Sequence, residues 1–315
     1  MPKFLSKGGK MKDLISTQDL SFDDIAKLVS LAAHFKKLGK STNRCENLLE
    51  NKSIIHAFFE NSTRTRISFE LASKRLGAHS TALAPNISST NKGESLLDTI
   101  KNLEAMQNDF FVVRHNRSGA AKFIASRTKT HVINAGDGCN EHPTQALLDI
   151  FTIAEHFGCG DALKGLAQIK GKKISIIGDI FHSRVARSNI YAFQTLGAEI
   201  TLFGPPQCMS SASVFGCKIA KNMKEACEGA AAIIMLRIQL ERSGDEIPLP
   251  KEYSKYFGLN KPELLEKNTL VLHPGPVNRG VEMSSEILDN HSVVLEQTEN
   301  GVAIRMAIFA NLMGA

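Results

Sequence analysis

Short apolar runs and helix-patterned segments alternate along this chain from one end to the other. Ser21-Phe-Asp-Asp24 has the form of a capping box and predicts a helix with Ile25, Leu28, Val29 and Ala32 on one face. Residues 53–59 are a short apolar run. A second helix is predicted to start within 62–65, to carry Phe69, Ala72 and Leu76 on one face, and to stop at Gly77. Residues 80–93 are polar and patternless and read as a functional loop. Strands are predicted at 110–113 and 131–133, and a helix over Pro143–Phe157 with proline in its first turn. The same grammar returns with strands at 173–177, 199–203, 231–236 and 269–272, a helix at 184–196, and a last helix striped by Val302, Met306, Phe309 and Met313. Such alternation predicts α/β layers in which mainly parallel sheets are flanked by helices. At 315 residues the chain is long enough for two such domains, and the boundary is placed near the helix over Pro143–Phe157.

Charge says less than its total suggests. Lys plus Arg number 38 against 32 for Asp plus Glu, a net of +6 that invites an anionic partner such as nucleic acid. The whole excess falls in residues 1–150, and four of those lysines, at 3, 7, 10 and 12, belong to the opening segment. No basic face with interleaved aromatics and no known nucleic-acid module accompanies it, so no nucleic-acid partner is expected. No run of about 20 apolar residues exists, so no membrane span is expected. The start holds only a two-residue apolar island, Phe4 and Leu5, too short for a secretory leader, and a cytoplasmic location is expected. The six cysteines form no C-x-x-C pair and no histidine cluster has zinc spacing, so reduced, packed thiols and no metal are expected. The sequons at Asn61, Asn86 and Asn116 are read as accidents of a loose pattern.

Five segments carry chemistry. Phe58-Phe-Glu-Asn-Ser-Thr-Arg-Thr-Arg66 places Ser62, Thr63, Arg64 and Thr65 where a strand gives way to a helix. A helix N-terminus offers unpaired N–H groups to an anion, and a guanidinium adds a fixed fork of donors. An ordinary Ser/Thr cap would need fewer donors than these. His142, just before the helix-starting Pro143, can polarise a carbonyl oxygen or merely cap its helix. Gly178-Asp-Ile-Phe-His-Ser-Arg184 follows a strand but has one glycine of the three in a dinucleotide fingerprint, so NAD is rejected and Arg184 is assigned to a carboxylate. Arg237 and Gln239 lie on one side of an extended segment leaving a strand, where such residues need a role. His273-Pro-Gly-Pro276 fixes a rigid loop whose carbonyls at Pro274, Gly275 and Pro276 can accept from an amine. Arginines and hydroxyls without a nucleophile–base pair, a metal cluster or a cofactor motif describe a site that binds two anionic small molecules and reacts them directly.

Together, Ser62-Thr-Arg-Thr-Arg66, Asn91-Lys-Gly-Glu94, His142-Pro-Thr-Gln145, Met235-Leu-Arg-Ile-Gln239 and His273-Pro-Gly-Pro276 resemble the transcarbamylase family, in its aspartate-specific branch, over nearly the whole chain. The resemblance implies transfer of the carbamoyl group of carbamoyl phosphate to L-aspartate, an early step of pyrimidine synthesis, with no cofactor. It implies a carbamoyl phosphate domain over 1–150, to which a C-terminal helix at 297–315 returns, and an aspartate domain over 151–296. Ser62, Thr63, Arg64 and Thr65 would hold the phosphate. Arg114, His142 and Thr65 would meet the carbamoyl oxygen, and Gln145 the carbamoyl amide. Arg184, Arg237 and Gln239 would grip the aspartate carboxylates, with carbonyls of Pro274, Gly275 and Pro276 facing amide and amine. Family members form homotrimers in which Ser88 and Lys92 would reach a neighbour's site, Lys92 touching both substrates. Some bind a regulatory chain or a second pathway enzyme. Gly275 replaces the leucine found between the prolines in some relatives, and residues 1–10 read as an extension.

The nearest rival is the ornithine-specific branch, which is expected to have His-Cys-Leu-Pro at 273–276 and a tryptophan near Arg237. This chain has no tryptophan, and Arg237 would repel a cationic acceptor. A catalytically silent relative is disfavoured because every matched functional position is filled.

Overall fold

Every pairing between strands is parallel in the computed structural model, which describes residues 11–39, 47–83, 94–210, 212–238 and 248–314. In chain order the main elements are α1 (Phe22–Gly39), β1 (Ser53–Phe58), α2 (Thr63–Arg75), β2 (His79–Ala82), α3 (Leu96–Ala105), β3 (Phe110–His115), α4 (Ala120–Ala125), β4 (His131–Asp137) and α5 (Pro143–Phe157). There follow α6 (Ala162–Ala167), β5 (Lys173–Ile177), α7 (Arg184–Thr195), β6 (Glu199–Phe203), β7 (Lys218–Ile219), α8 (Met223–Cys227), β8 (Ala230–Met235), α9 (Pro250–Phe257), β9 (Leu270–Leu272), α10 (Ser285–Asn290) and α11 (Val294–Met313). Two α/β units result. One holds residues 1–16, 27–144 and 301–315, and the other 17–26 and 145–300. The division falls within α5, between Thr144 and Gln145, and within α11, between Asn300 and Gly301.

The first unit has a four-stranded sheet in the order β2-β1-β3-β4. Alternate side chains leave opposite faces of a strand. Ile55, Ala57, Phe111, Val113 and Val132 pack on one face against Ile100, Ala121 and Ile124 of α3 and α4. On the other face Phe110 meets Phe309 of α11 edge-on at 5.3 Å, and Phe309 meets Phe69 of α2 at 5.9 Å. The returning segment of α11 is thus built into this unit's core. The second unit has a five-stranded sheet in the order β7-β6-β5-β8-β9. Ile177, Phe203, Ile233, Met235 and Val271 form part of its core with Met283 and Ile287.

Local signals are realised as their chemistry requires. At α1 the Asp24 amide donates to Ser21 Oγ at 3.2 Å while the Ser21 amide donates to Asp24 Oδ2 at 3.0 Å, the reciprocal bonds of a capping box. Gly77 ends the α2 segment with φ +83, a conformation that favours glycine. Gly178 answers to packing: a Cβ there would lie 2.9 Å from the Leu236 Cβ and 3.1 Å from the Tyr253 hydroxyl.

Three expectations need correction. The polar stretch from residue 80 is not loop throughout, because 80–82 belong to β2, paired in parallel with β1. An edge strand is held by backbone bonds and can keep polar, largely exposed side chains. The rest of that stretch, with Ser88 and Lys92, lies outside the described residues, as does Gln239. The last helix is more than a stripe: residues 300–312 are all buried, because Gly301, Ala303, Ala307 and Ala310 let neighbours close in on every side. Strand ends also differ: β3 runs two residues and β4 four residues past the predicted ends, to His115 and Asp137, while β8 at Ala230–Met235 and β9 beginning at Leu270 differ by one.

His56, at the middle of β1, is fully buried beneath α2, its ring 6.4 Å from that of Phe69. Neither ring nitrogen has a hydrogen-bond partner among the described residues. Burial, reinforced by Arg66 and Lys74, holds its pKa down to about 4. The unfolded chain takes up a proton there near pH 6.5 and the folded chain does not, so stability present above that pH is lost as pH falls toward 4. His56→Val is expected to stabilise the protein by about 1–3 kcal/mol at neutral pH, because it removes an unpaired buried polar group. Urea unfolding at pH 8 and pH 5 checks this: the gain must widen at pH 5, and an equal or smaller gain there contradicts it.

Candidate active site

Three loops of the first unit leave the carboxyl ends of its parallel strands, where α/β sheets place their ligands. The first runs from β1 into α2. Ser62 is the N-cap residue of α2, yet its side chain makes no capping hydrogen bond. The first turn of α2 carries no acidic residue, whereas that of α1 has Asp23 and Asp24 and that of α3 has Asp98. Thr63 and Arg64 are exposed, and Ser62 and Thr65 half-buried. The positive end of this helix dipole is left uncompensated and ringed by donors, as an anion requires. Ser62 thus holds the cap position without making the cap bond.

The second loop leaves β3. Arg114 pairs in register with Phe58, which sets it beside the turn into α2. Its Nε lies 2.7 Å from Glu60 Oε1, and its Nη1 donates to the Ala135 carbonyl at 3.1 Å. The two side chains are only 12% and 10% exposed, so the pair is nearly dry and the guanidinium plane is held from two sides. Next to it, burial and Arg117 hold the His115 pKa below its usual value.

The third loop joins β4 to α5 and carries His142. Asp137 organises it: its carboxylate accepts from the Gly119 amide at 2.7 Å, from Asn134 Nδ2 at 2.9 Å and from the Glu141 amide at 3.2 Å. Gly138 is required in the turn, with φ +51 and an imagined Cβ only 2.5 Å from the Ser118 amide. His142 is buried, its Nδ1 3.5 Å from Thr144 Oγ1. Arg305 of α11 braces this arrangement. It donates to Ser68 Oγ of α2 at 2.8 Å and to Thr144 Oγ1 at 3.4 Å, with its guanidinium 4.9 Å from the Phe69 ring centre.

The second unit supplies a different set. Arg184 is the first residue of α7 and is buried, and the cap Ser183 accepts from the Ala186 amide at 3.1 Å. Arg237 lies two residues past β8 and is half-buried. The Ile238 amide beside it donates to Glu282 Oε1 at 3.0 Å, and Asn278 donates to the same carboxylate through its amide N–H at 2.7 Å and its Nδ2 at 2.8 Å. Burial pushes the Glu282 pKa up despite these bonds. The loop after β9 is pinned at its start, where the Gly275 amide donates to His273 Nδ1 at 2.8 Å. Gly275 has φ +64, which glycine adopts without steric cost. None of the Pro274, Gly275 and Pro276 carbonyls accepts a backbone hydrogen bond from a described residue. Gln145, buried at the start of α5, donates through Nε2 to Asp149.

The residues named from the sequence thus fall into two sets. Ser62, Thr63, Arg64, Thr65, Arg114 and His142 share the carboxyl edge of the first sheet, and Gln145, Arg184, Arg237 and 274–276 belong to the second unit. Sequence reading missed the supports: Glu60, Asp137, Asp149 and Arg305. Only Glu60 had a local signal, a lone acid between Phe59 and Asn61 at a strand end.

Comparison with known proteins also gives two parts, but places Gln145 with the first and most of 301–315 with the second. Residues 12–155 match the family model described as aspartate/ornithine carbamoyltransferase, carbamoyl-P binding domain, and residues 170–312 match its Asp/Orn binding domain. The chain is 56% identical over 307 residues to the aspartate carbamoyltransferase catalytic subunit of Campylobacter fetus, covering 96% of each. Its fold is similar to that of aspartate transcarbamoylase from Trypanosoma cruzi in complex with carbamoyl phosphate and aspartate, with TM-score 0.82, 28% identity, and 96% and 97% of the two chains covered. It is also similar to ornithine carbamoyltransferase from Thermus thermophilus, with TM-score 0.79, 25% identity, and 96% and 99% covered.

Proposed function

The chain belongs to the aspartate/ornithine carbamoyltransferase family, and we propose that it transfers the carbamoyl group of carbamoyl phosphate to L-aspartate, giving N-carbamoyl-L-aspartate and phosphate. The observation that carries this reading is the N-terminus of α2, a helix end with an uncommitted cap hydroxyl and no acidic residue in its first turn, beside the nearly dry Arg114. It suits a phosphoryl group joined to a second polar group an arginine can polarise. Arg184 and Arg237 suit the two carboxylates of aspartate, and a cationic acceptor such as ornithine has no use for Arg237.

The neutral amine of aspartate attacks the carbonyl carbon of carbamoyl phosphate. The carbonyl π electrons move to oxygen, where Arg114, His142 and Thr65 stabilise the oxyanion. Gln145 and the carbonyls at 274–276 orient the carbamoyl –NH2 and the amine. Collapse of the intermediate breaks the C–O bond to phosphate, whose charge is held by Ser62, Thr63, Arg64 and the N–H groups of α2. The departing phosphate takes the amine proton, which balances the step without a protein base. Rate acceleration then rests on juxtaposition and preorganised charge. Ser88 and Lys92 act from a neighbouring copy in a homotrimer, Lys92 on both substrates, and Gln239 joins Arg237 on the acceptor. This reaction belongs to pyrimidine synthesis, and we place it in the cytoplasm. No helix among the described residues is long and apolar enough to cross a membrane.

Arg237→Ala tests the acceptor assignment. The Michaelis constant for aspartate is expected to rise about 10- to 150-fold, the equivalent of a charge-assisted hydrogen bond worth about 1.5–3 kcal/mol. That for carbamoyl phosphate should change little. Steady-state kinetics with each substrate varied in turn checks it, and equal effects on both constants contradict the assignment.

A further inference from the structure

Asp149 lies on α5, four residues after Gln145, and is fully buried. Its Oδ1 accepts from Gln145 Nε2 at 3.0 Å and from Gln297 Nε2 at 2.7 Å, and its Oδ2 accepts from Asn189 Nδ2 at 2.9 Å. A carboxylate only accepts hydrogen bonds, so each of these amides must turn its –NH2 inward. The consequence differs for each. Gln297, turned this way, presents Oε1 to the His273 amide, which donates to it at 3.0 Å, and so anchors the residue that opens the 274–276 loop. Gln145, turned this way, spends one Nε2 hydrogen on Asp149 and holds its carbonyl Oε1 away from that carboxylate as a fixed acceptor, which a ligand must meet with a donor. A free glutamine amide can exchange its two ends, but this one cannot.

We propose that Asp149 is a positioning residue that sets donor specificity: by fixing Gln145 as an acceptor, it selects a carbamoyl phosphate, whose –NH2 can donate, over an acyl phosphate whose corresponding group cannot. This rests on the reading of Gln145 as the contact of the carbamoyl amide. A site committed to a hydrogen bond discriminates strongly against an analogue that lacks it, because the committed group is left unpaired. Acetyl phosphate is that analogue, with methyl in place of –NH2. Asparagine at 149 keeps the volume but can donate as well as accept, so the Gln145 amide is released to reverse. Leucine at 149 keeps the branched shape in a larger side chain and does neither, with the same release.

The test measures the KM for carbamoyl phosphate and the inhibition constant of acetyl phosphate, with thermal unfolding as the control, in the unaltered protein, Asp149→Asn, Asp149→Leu and Gln145→Ala. For the Asp149 variants the KM is expected to rise about 10- to 100-fold while the acetyl phosphate constant moves little, so the preference for carbamoyl over acetyl narrows about tenfold or more. Gln145→Ala must narrow it as well. A merely structural role for Asp149 would raise both constants together and leave the preference intact, which overturns the inference. If Gln145→Ala narrows the preference and the folded Asp149 variants do not, the positioning role fails and the Gln145 contact stands. If Gln145→Ala leaves the preference unchanged, the contact itself is wrong and the inference falls with it.

Discussion

Replacing Arg114 with alanine is expected to lower turnover about 10²- to 10³-fold, the usual cost of losing one donor to an oxyanion. A second loss accompanies it. Arg114 neutralises Glu60 at 2.7 Å, and the Glu60 side chain is 10% exposed. Removing one partner of a fully buried pair costs about 3–5 kcal/mol, and the residual access of water here should hold the loss to roughly 2–3 kcal/mol. The two losses are separable. Adding Glu60→Gln removes the carboxylate charge that Arg114 had balanced, so the double variant should regain part of the stability and none of the turnover. Denaturant unfolding and steady-state kinetics on both variants check this. If Glu60→Gln restores turnover as well, Arg114 acts through the fold; near-normal turnover in Arg114→Ala removes it from the reacting centre.

Arg64→Ala should show the opposite balance. Arg64 is exposed in the first turn of α2, so its loss should change unfolding by no more than about 1 kcal/mol. Turnover should fall at least about 10- to 150-fold, the worth of a charge-assisted contact to phosphate. The same variant tests the sharing of sites among subunits. Arg64→Ala and Lys92→Ala, each poorly active alone, should regain activity when mixed under conditions that exchange subunits, because some sites then receive neither substitution. No recovery after verified exchange would contradict the shared site.

The parallel α/β architecture was legible because it is written locally. A strand buried on both faces must be continuously apolar, a capping box declares a helix start within four residues, and Gly77 declares a stop. Edge strand β2 escaped because its pairing uses backbone groups that any sequence carries. The candidate site divides in the same way. Arg64, Arg114, His142 and Arg237 stand at strand ends beside turns, where an arginine or histidine needs a reason. Arg305 and Asp149, among their supports, stand inside helices and have partners far along the chain: Arg305 reaches Ser68, 237 positions away, and Gln297 reaches Asp149, 148 positions away. An asparagine or glutamine within a helix gives no local sign of such a partner. His56 is the reverse case, a polar residue in an apolar strand that reads as if it had a partner and has none among the described residues.

The acceptor is the centre of the account, and product identity tests it directly. The purified protein would be given carbamoyl phosphate with equal concentrations of L-aspartate and L-ornithine, and the ureido products and phosphate quantified by mass spectrometry and phosphate assay. N-carbamoyl-L-aspartate as the dominant product, formed one for one with phosphate, is the predicted result; citrulline as the dominant product, or phosphate released without a ureido product, would contradict it.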